Sequence, residues 1–138
     1  MTPETDHTWL LDRLLDDTRP STKHAVVLSK DGLKLYDSGG LSEDQAETFA
    51  AVASGIQSLS SSASRALGDG SGGVRQSMSE FDGGLLVIID AGDGTLLAVL
   101  AEAESDPGFL GHKMTELVEQ IGSHLISPPR DAEGIGRS

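Results

Sequence analysis

The chain has 138 residues, the size of one domain, and 37% of them are apolar, enough for one core of ordinary size. A formal net charge of -12 with only ten Lys and Arg, scattered along the chain, argues against a nucleic-acid partner or an anionic membrane surface, since both require clustered positive charge. There is no cysteine, which excludes disulfides, thiolate catalysis and Cys-ligated zinc. No run approaches the ~20 apolar residues of a membrane span, so a cytoplasmic protein with no membrane insertion is expected.

Thr8 is placed to cap a short helix in which Trp9, Leu10, Leu11, Leu14 and Leu15 recur at helical spacing, and Arg19-Pro20 ends it. His24 to Ser29 reads as a strand, Lys30-Asp31-Gly32 as a turn, and Leu33 to Tyr36 as a second strand near a sheet edge, with Leu33 and Leu35 forming its apolar face. Ser42 and Gln45 have capping-box spacing and open a long helix. Phe49, Val52, Ile56, Leu59, Ala63 and Leu67 fall on one stripe of that helix, which is expected to pack on the sheet. About a hundred degrees round lies a second stripe of Ala46, Ala50, Ala53, Gln57, Ser60, Ser61 and Ser64. Two readings fit it: a mildly polar solvated face, or a close-packing surface, because Ala and Ser let backbones approach and lose little side-chain entropy.

Gly68 to Gly73 reads as a flexible connector, and Val74 to Phe81 as a polar, weakly alternating edge strand. After the Asp82-Gly83 turn, Leu85 to Ile89 is apolar on both faces, as is Leu96 to Val99 beyond the Gly/Asp turn at 90–94. These two strands therefore belong in the middle of an antiparallel sheet covered on both sides. Asp106-Pro107 opens the last helix, whose buried stripe is Leu110, Met114, Leu117, Val118, Ile121 and Leu125. Ser127-Pro128-Pro129 stops it. The expected organisation is an N-terminal extension over 1–7, one domain over 8–126 and a disordered tail over 127–138.

Catalytic and metal chemistry find no pattern. The Gly68–Gly73 run follows a helix and lacks the Lys and hydroxyl of a P-loop. His7, His24, His112 and His124 have no ligand spacing, no Ser sits in G-x-S-x-G, and Asp90 and Asp93 do not continue as an EF-hand. No enzyme activity, cofactor or metal is expected.

The run His24 to Leu33, together with Trp9-Leu10-Leu11-Asp12, Ala51-Val52-Ala53-Ser54-Gly55, Asp82-Gly83-Gly84, Leu97 to Ala101 and Gly111-His112-Lys113-Met114, resembles the roadblock / dynein light chain family, in particular its small stand-alone bacterial members. The pieces span Trp9 to about Leu125, and their order and spacing carry the likeness. The resemblance implies an α/β (α+β) profilin-like sandwich: a five-stranded antiparallel sheet with the long helix on one face and the terminal helices on the other. It implies a non-catalytic homodimer that binds a Ras-like small GTPase and modulates its nucleotide cycle, with a sensor kinase as a further partner. The alternatives are a pure scaffold for signalling proteins and a small-molecule sensory domain, the latter requiring a sizeable apolar pocket. Under this resemblance the small-residue stripe becomes the dimer surface: Ala46, Ala50, Ala53, Gln57 and Ser61 meet their own copies about a two-fold axis, while the strand bearing Arg75, Ser77 and Ser79 pairs edge to edge beside them.

Overall fold

The computed structural model describes residues 8–18 and 22–126. The N-terminal extension, the Arg19-Pro20 stop, the tail beyond 126 and the side chains of Thr8, Ile121 and Leu125 lie outside the described set. The elements are α1 (Thr8–Thr18), β1 (Thr22–Ser29), β2 (Lys34–Asp37), α2 (Glu43–Leu67), β3 (Gln76–Phe81), β4 (Gly84–Gly92), β5 (Thr95–Ala101) and α3 (Pro107–Ile126). All five strands form one antiparallel sheet in the order β2-β1-β5-β4-β3, so β2 and β3 are its edges, as expected.

The doubly apolar strands divide their side chains between two cores. Leu85, Val87, Ile89, Leu97 and Val99 pack with Leu10, Leu11 and Leu14 of α1 and Leu110, Met114 and Leu117 of α3. Leu86, Ile88, Leu96 and Ala98 point the other way, with Val26 and Leu28, onto α2. Alternation of side chains along a strand requires this division. The β4–β5 turn is a two-residue one at Asp93-Gly94, where φ is +54° and +76°, the signs that match a hairpin to the right-handed twist of its strands. The strands run further into this turn than expected, and a bulge between Asp90 and Gly92 absorbs the extra residue.

Helix signals read correctly at both starts. Ser42 Oγ accepts from the Gln45 amide at 3.1 Å while Gln45 Oε1 accepts from the Ser42 amide at 3.0 Å. Asp106 Oδ1 accepts from the amides of Gly108 and Phe109, with Pro107 as the first helical residue.

Two packing expectations are corrected. Leu33 and Leu35 are exposed, and it is Tyr36 that packs against the α1/α3 core. The reason is a bulge: Val27 pairs with Tyr36 but Leu28 pairs with Lys34, so Leu35 is the extra residue and is left out of the ladder. The second correction concerns α2, which lies on the sheet by the small stripe. Ala46, Ala50, Ala53 and Gln57 are buried, with Ala53 at 0% exposure, whereas Val52, Leu59 and Leu67 are 47%, 74% and 86% exposed. The sheet face beneath α2 already carries Leu28, Leu86, Ile88 and Leu96. A helix that sits on such large side chains needs small ones at the contact, because core volume is limited at close packing.

Candidate functional site

Once the small stripe is used inside the protomer, Ala46, Ala50, Ala53 and Gln57 cannot form a surface, so the expected self-contact through them does not stand as drawn. Ser61 is half-buried, and its hydroxyl donates to the Gly72 carbonyl at 2.8 Å. On β3, Ser77 is buried: its hydroxyl lies 3.2 Å from Gln57 Oε1 and 2.9 Å from Ser60 Oγ. Ser77 thus ties the edge strand to α2. Ser79 is half-buried on the same face, and Arg75 is exposed just before the strand begins. The structure therefore brings Gln57 and Ser77 together as a structural pair, and among the described residues no strand lies beside the outer edge of β3.

What the structure places on the surface is the stripe expected in the core. Phe49 and Ile56 pack by one side against the sheet core and remain half-exposed, while Val52, Leu59, Ala63 and Leu67 continue outward along the same flank of α2. Phe81 adds to it from β3. It lies on the α2 side of the sheet, 47% exposed, with its ring over Gly84, where a Cβ would meet Phe81 Cε1 at 2.7 Å. Half-buried Leu100 lies beside it. Apolar side chains on an outer helix flank beside an open strand edge make a surface suited to a protein partner. The signal that could have revealed it was in the strands: four large residues pointing at α2 leave no room for Val52 and Leu59 as well.

A charged pair lies on edge strand β2 near the start of α2, away from the apolar flank. Lys34 Nζ and Asp37 Oδ2 are 2.9 Å apart and less than a third exposed. Burial pushes the Asp37 carboxyl up, but the hydrogen bonds from Lys34 and the Gly39 amide, with the Lys34 charge, outweigh it and hold the carboxyl below its ordinary value. The same hydrogen bond and charge raise the Lys34 ammonium, and Glu43 and Glu47 at the start of α2 raise it further. Among the described residues no three His, Asp or Glu side chains converge as a metal site requires, and no helix is long and apolar enough to cross a membrane.

A family model for the Roadblock/LC7 domain matches residues 7–101. Among solved structures, a Roadblock/LC7 domain from Streptomyces avermitilis is 44% identical, with a TM-score of 0.80, covering 88% of this chain and 99% of its own. Myxococcus xanthus MglB is similar in fold at 14% identity and a TM-score of 0.78, covering 96% and 97% of the two chains. Acanthamoeba castellanii profilin IB, at 17% identity and a TM-score of 0.57, covers 84% of this chain and 96% of its own, in keeping with a profilin-like sandwich. A search of curated proteins gave no match. With a 44% identical relative spanning nearly the whole domain and a family model matching more than half of the residues, this chain belongs to the Roadblock/LC7 family.

Proposed function

We propose that the protein is a non-catalytic homodimeric regulator that binds a Ras-like small GTPase and modulates its nucleotide cycle. One observation carries the reading: the outer flank of α2, from Phe49 through Val52, Ile56 and Leu59, is apolar and solvent-facing, and it lies beside the open edge strand β3. A two-fold contact needs only one self-complementary patch, and pairing β3 with its copy would close an exposed edge. The elements are those expected from the sequence, and the contacting face of α2 is the opposite choice. The dimer would then present a composite surface to the GTPase. Any effect on hydrolysis would come from ordering the GTPase's own switch loops.

Two measurements test the proposal. Sedimentation of the full chain at tens of micromolar should give a dimer, and a monomer there refutes the assembly. Pull-down from native lysate followed by GTP hydrolysis and nucleotide-release assays on captured small GTPases should show a changed rate. Capture of a GTPase with unchanged turnover would favour a scaffold instead, and capture of none would refute the GTPase reading.

A further inference from the structure

On the flank of α2 away from the apolar strip lies a cleft of about 440 Å³, within the size range of small-molecule sites. Gln57, Ser61 and Arg65 of α2 form its floor, the loop at 71–74 forms one wall, and Lys30 with Asp90 forms the other. Ser54 Oγ donates to the Lys30 carbonyl at 2.7 Å, fixing that wall to the helix.

Three properties narrow what fits. The first is charge. Lys30 and Arg65 face the same space, against one carboxylate, in a chain whose net charge is -12. Lys30 Nζ is 3.4 Å from Asp90, with both side chains about half exposed, a contact weak enough for an anion to displace. Arg65 is bonded to neutral groups, Nη1 to Ser61 Oγ at 3.0 Å and Nη2 to Ser62 Oγ at 3.3 Å, which orient the guanidinium without neutralising it. The second is shape. Gly72 has φ +81°, a conformation that favours glycine, and its loop backbone lies close against Arg65, with a Cβ there 3.0 Å from Nη1. The third is the character of the remaining lining: serine hydroxyls and the Gln57 carboxamide, with Val74 apolar and no aromatic ring. Such walls hydrogen-bond a polyol and offer nothing on which a nucleobase could stack.

From this geometry we infer that the cleft binds a small phosphorylated polyol or sugar, its phosphate on Arg65 and Lys30 and its hydroxyls on the lining serines. Arginine suits the anion because its fork matches phosphate oxygens. The cleft and the apolar strip lie on different flanks of α2, so the inference does not depend on the dimer.

The test is an amide NMR titration of the full chain with glycerol 3-phosphate, run beside inorganic phosphate and glycerol. Glycerol 3-phosphate should give saturable shifts centred on Lys30, Ser61, Arg65, Gly72 and Gly73, and Arg65→Gln should weaken the affinity about tenfold or more. Arg65 is exposed, so an unchanged melting temperature will show that the variant folds. No saturable shift at ~10 mM glycerol 3-phosphate would overturn the assignment. So would shifts that neither Arg65→Gln nor Lys30→Gln weakens. Inorganic phosphate binding as tightly as glycerol 3-phosphate would overturn the polyol half, and glycerol binding as tightly would overturn the phosphate half.

Discussion

Leu59→Gln isolates the proposed contact, because the side chain is 74% exposed in the protomer and the substitution keeps its length and helix propensity. Full burial of a leucine is worth about 1.5–3 kcal/mol, so covering the exposed three-quarters recovers ~1–2 kcal/mol. A two-fold axis counts the residue twice, giving ~2–4 kcal/mol per dimer, or about one and a half to three decades in the dimer Kd. The protomer should be nearly unaffected, within ~0.5 kcal/mol, since an exposed substitution disturbs no core contact. Ala53→Glu is the contrasting variant: it forces a carboxylate into a site with 0% exposure and should destabilise the protomer itself by several kcal/mol, roughly a large share of a domain's whole stability. Analytical ultracentrifugation across a concentration series gives the Kd, and urea denaturation at low concentration gives protomer stability. A Leu59→Gln dimer constant within about twofold of wild type, or an Ala53→Glu protein as stable as wild type, would refute this assignment of the two faces.

Asp37→Asn should flatten both limbs of the stability profile. The folded carboxyl lies below its ordinary 3.8, so its contribution is present above that value and is lost as pH falls through the lower folded pKa; Lys34, raised above 10.5, contributes below that value and loses its contribution as pH rises through the higher folded pKa. Urea midpoints at about pH 3, 7 and 11 read both effects, and an unchanged profile would show that the pair contributes nothing. Gly32→Ala should cost ~1–2 kcal/mol through backbone strain alone, because φ is +94° and the new methyl would meet Ser54 Cβ at an ordinary 3.5 Å. A smaller loss than that of Gly55→Ala, at a glycine without positive φ, would contradict it. Because each protomer carries a net charge of -12, added salt should tighten the dimer by screening like charges, and dissociation by moderate salt would contradict an apolar contact.

How far the sequence could be read depended on which physical constraint each segment obeyed. Strands apolar on both faces, the capping box at Ser42 and the Asp106-Pro107 helix start were legible because alternation and capping are local rules, and all three stand in the structure. The edge positions of β2 and β3 followed from their polarity. Leu35 was misplaced because nothing in the sequence of β2 announces the bulge opposite Val27 and Leu28. Composition alone makes the Gly-rich loop a connector. In the structure it is held onto α2 by Ser61 and internally by hydrogen bonds from the Ser71 amide to Asp69 and from the Gly73 amide to Ser71. Those bonds depend on tertiary placement that a Gly/Ser run does not encode.

Helical periodicity picks the wrong face of α2 because it ranks stripes by apolarity, whereas burial is settled by the volume both partners bring to the contact. β1, β4 and β5 supply Leu28, Leu86, Ile88 and Leu96 to that interface, so a helix centred on its large stripe would overpack it, and of that stripe only Phe49 and Ile56 reach it, by one side. Ala50 and Ala53 fit instead, bringing the helix close enough for Ser77 of β3 to reach Gln57 and Ser60. The large residues of α2 are then left on the flank beside β3, with water as their only neighbour over much of their surface. A monomeric fold gains nothing from keeping Val52 and Leu59 there, since leaving apolar surface in water is unfavourable and raises the hazard of nonspecific association. A protein surface that covers them removes both costs at once. The residues that pack the protomer and those proposed to pack the dimer are therefore adjacent stripes of a single helix, distinguished by what the sheet beneath has already filled.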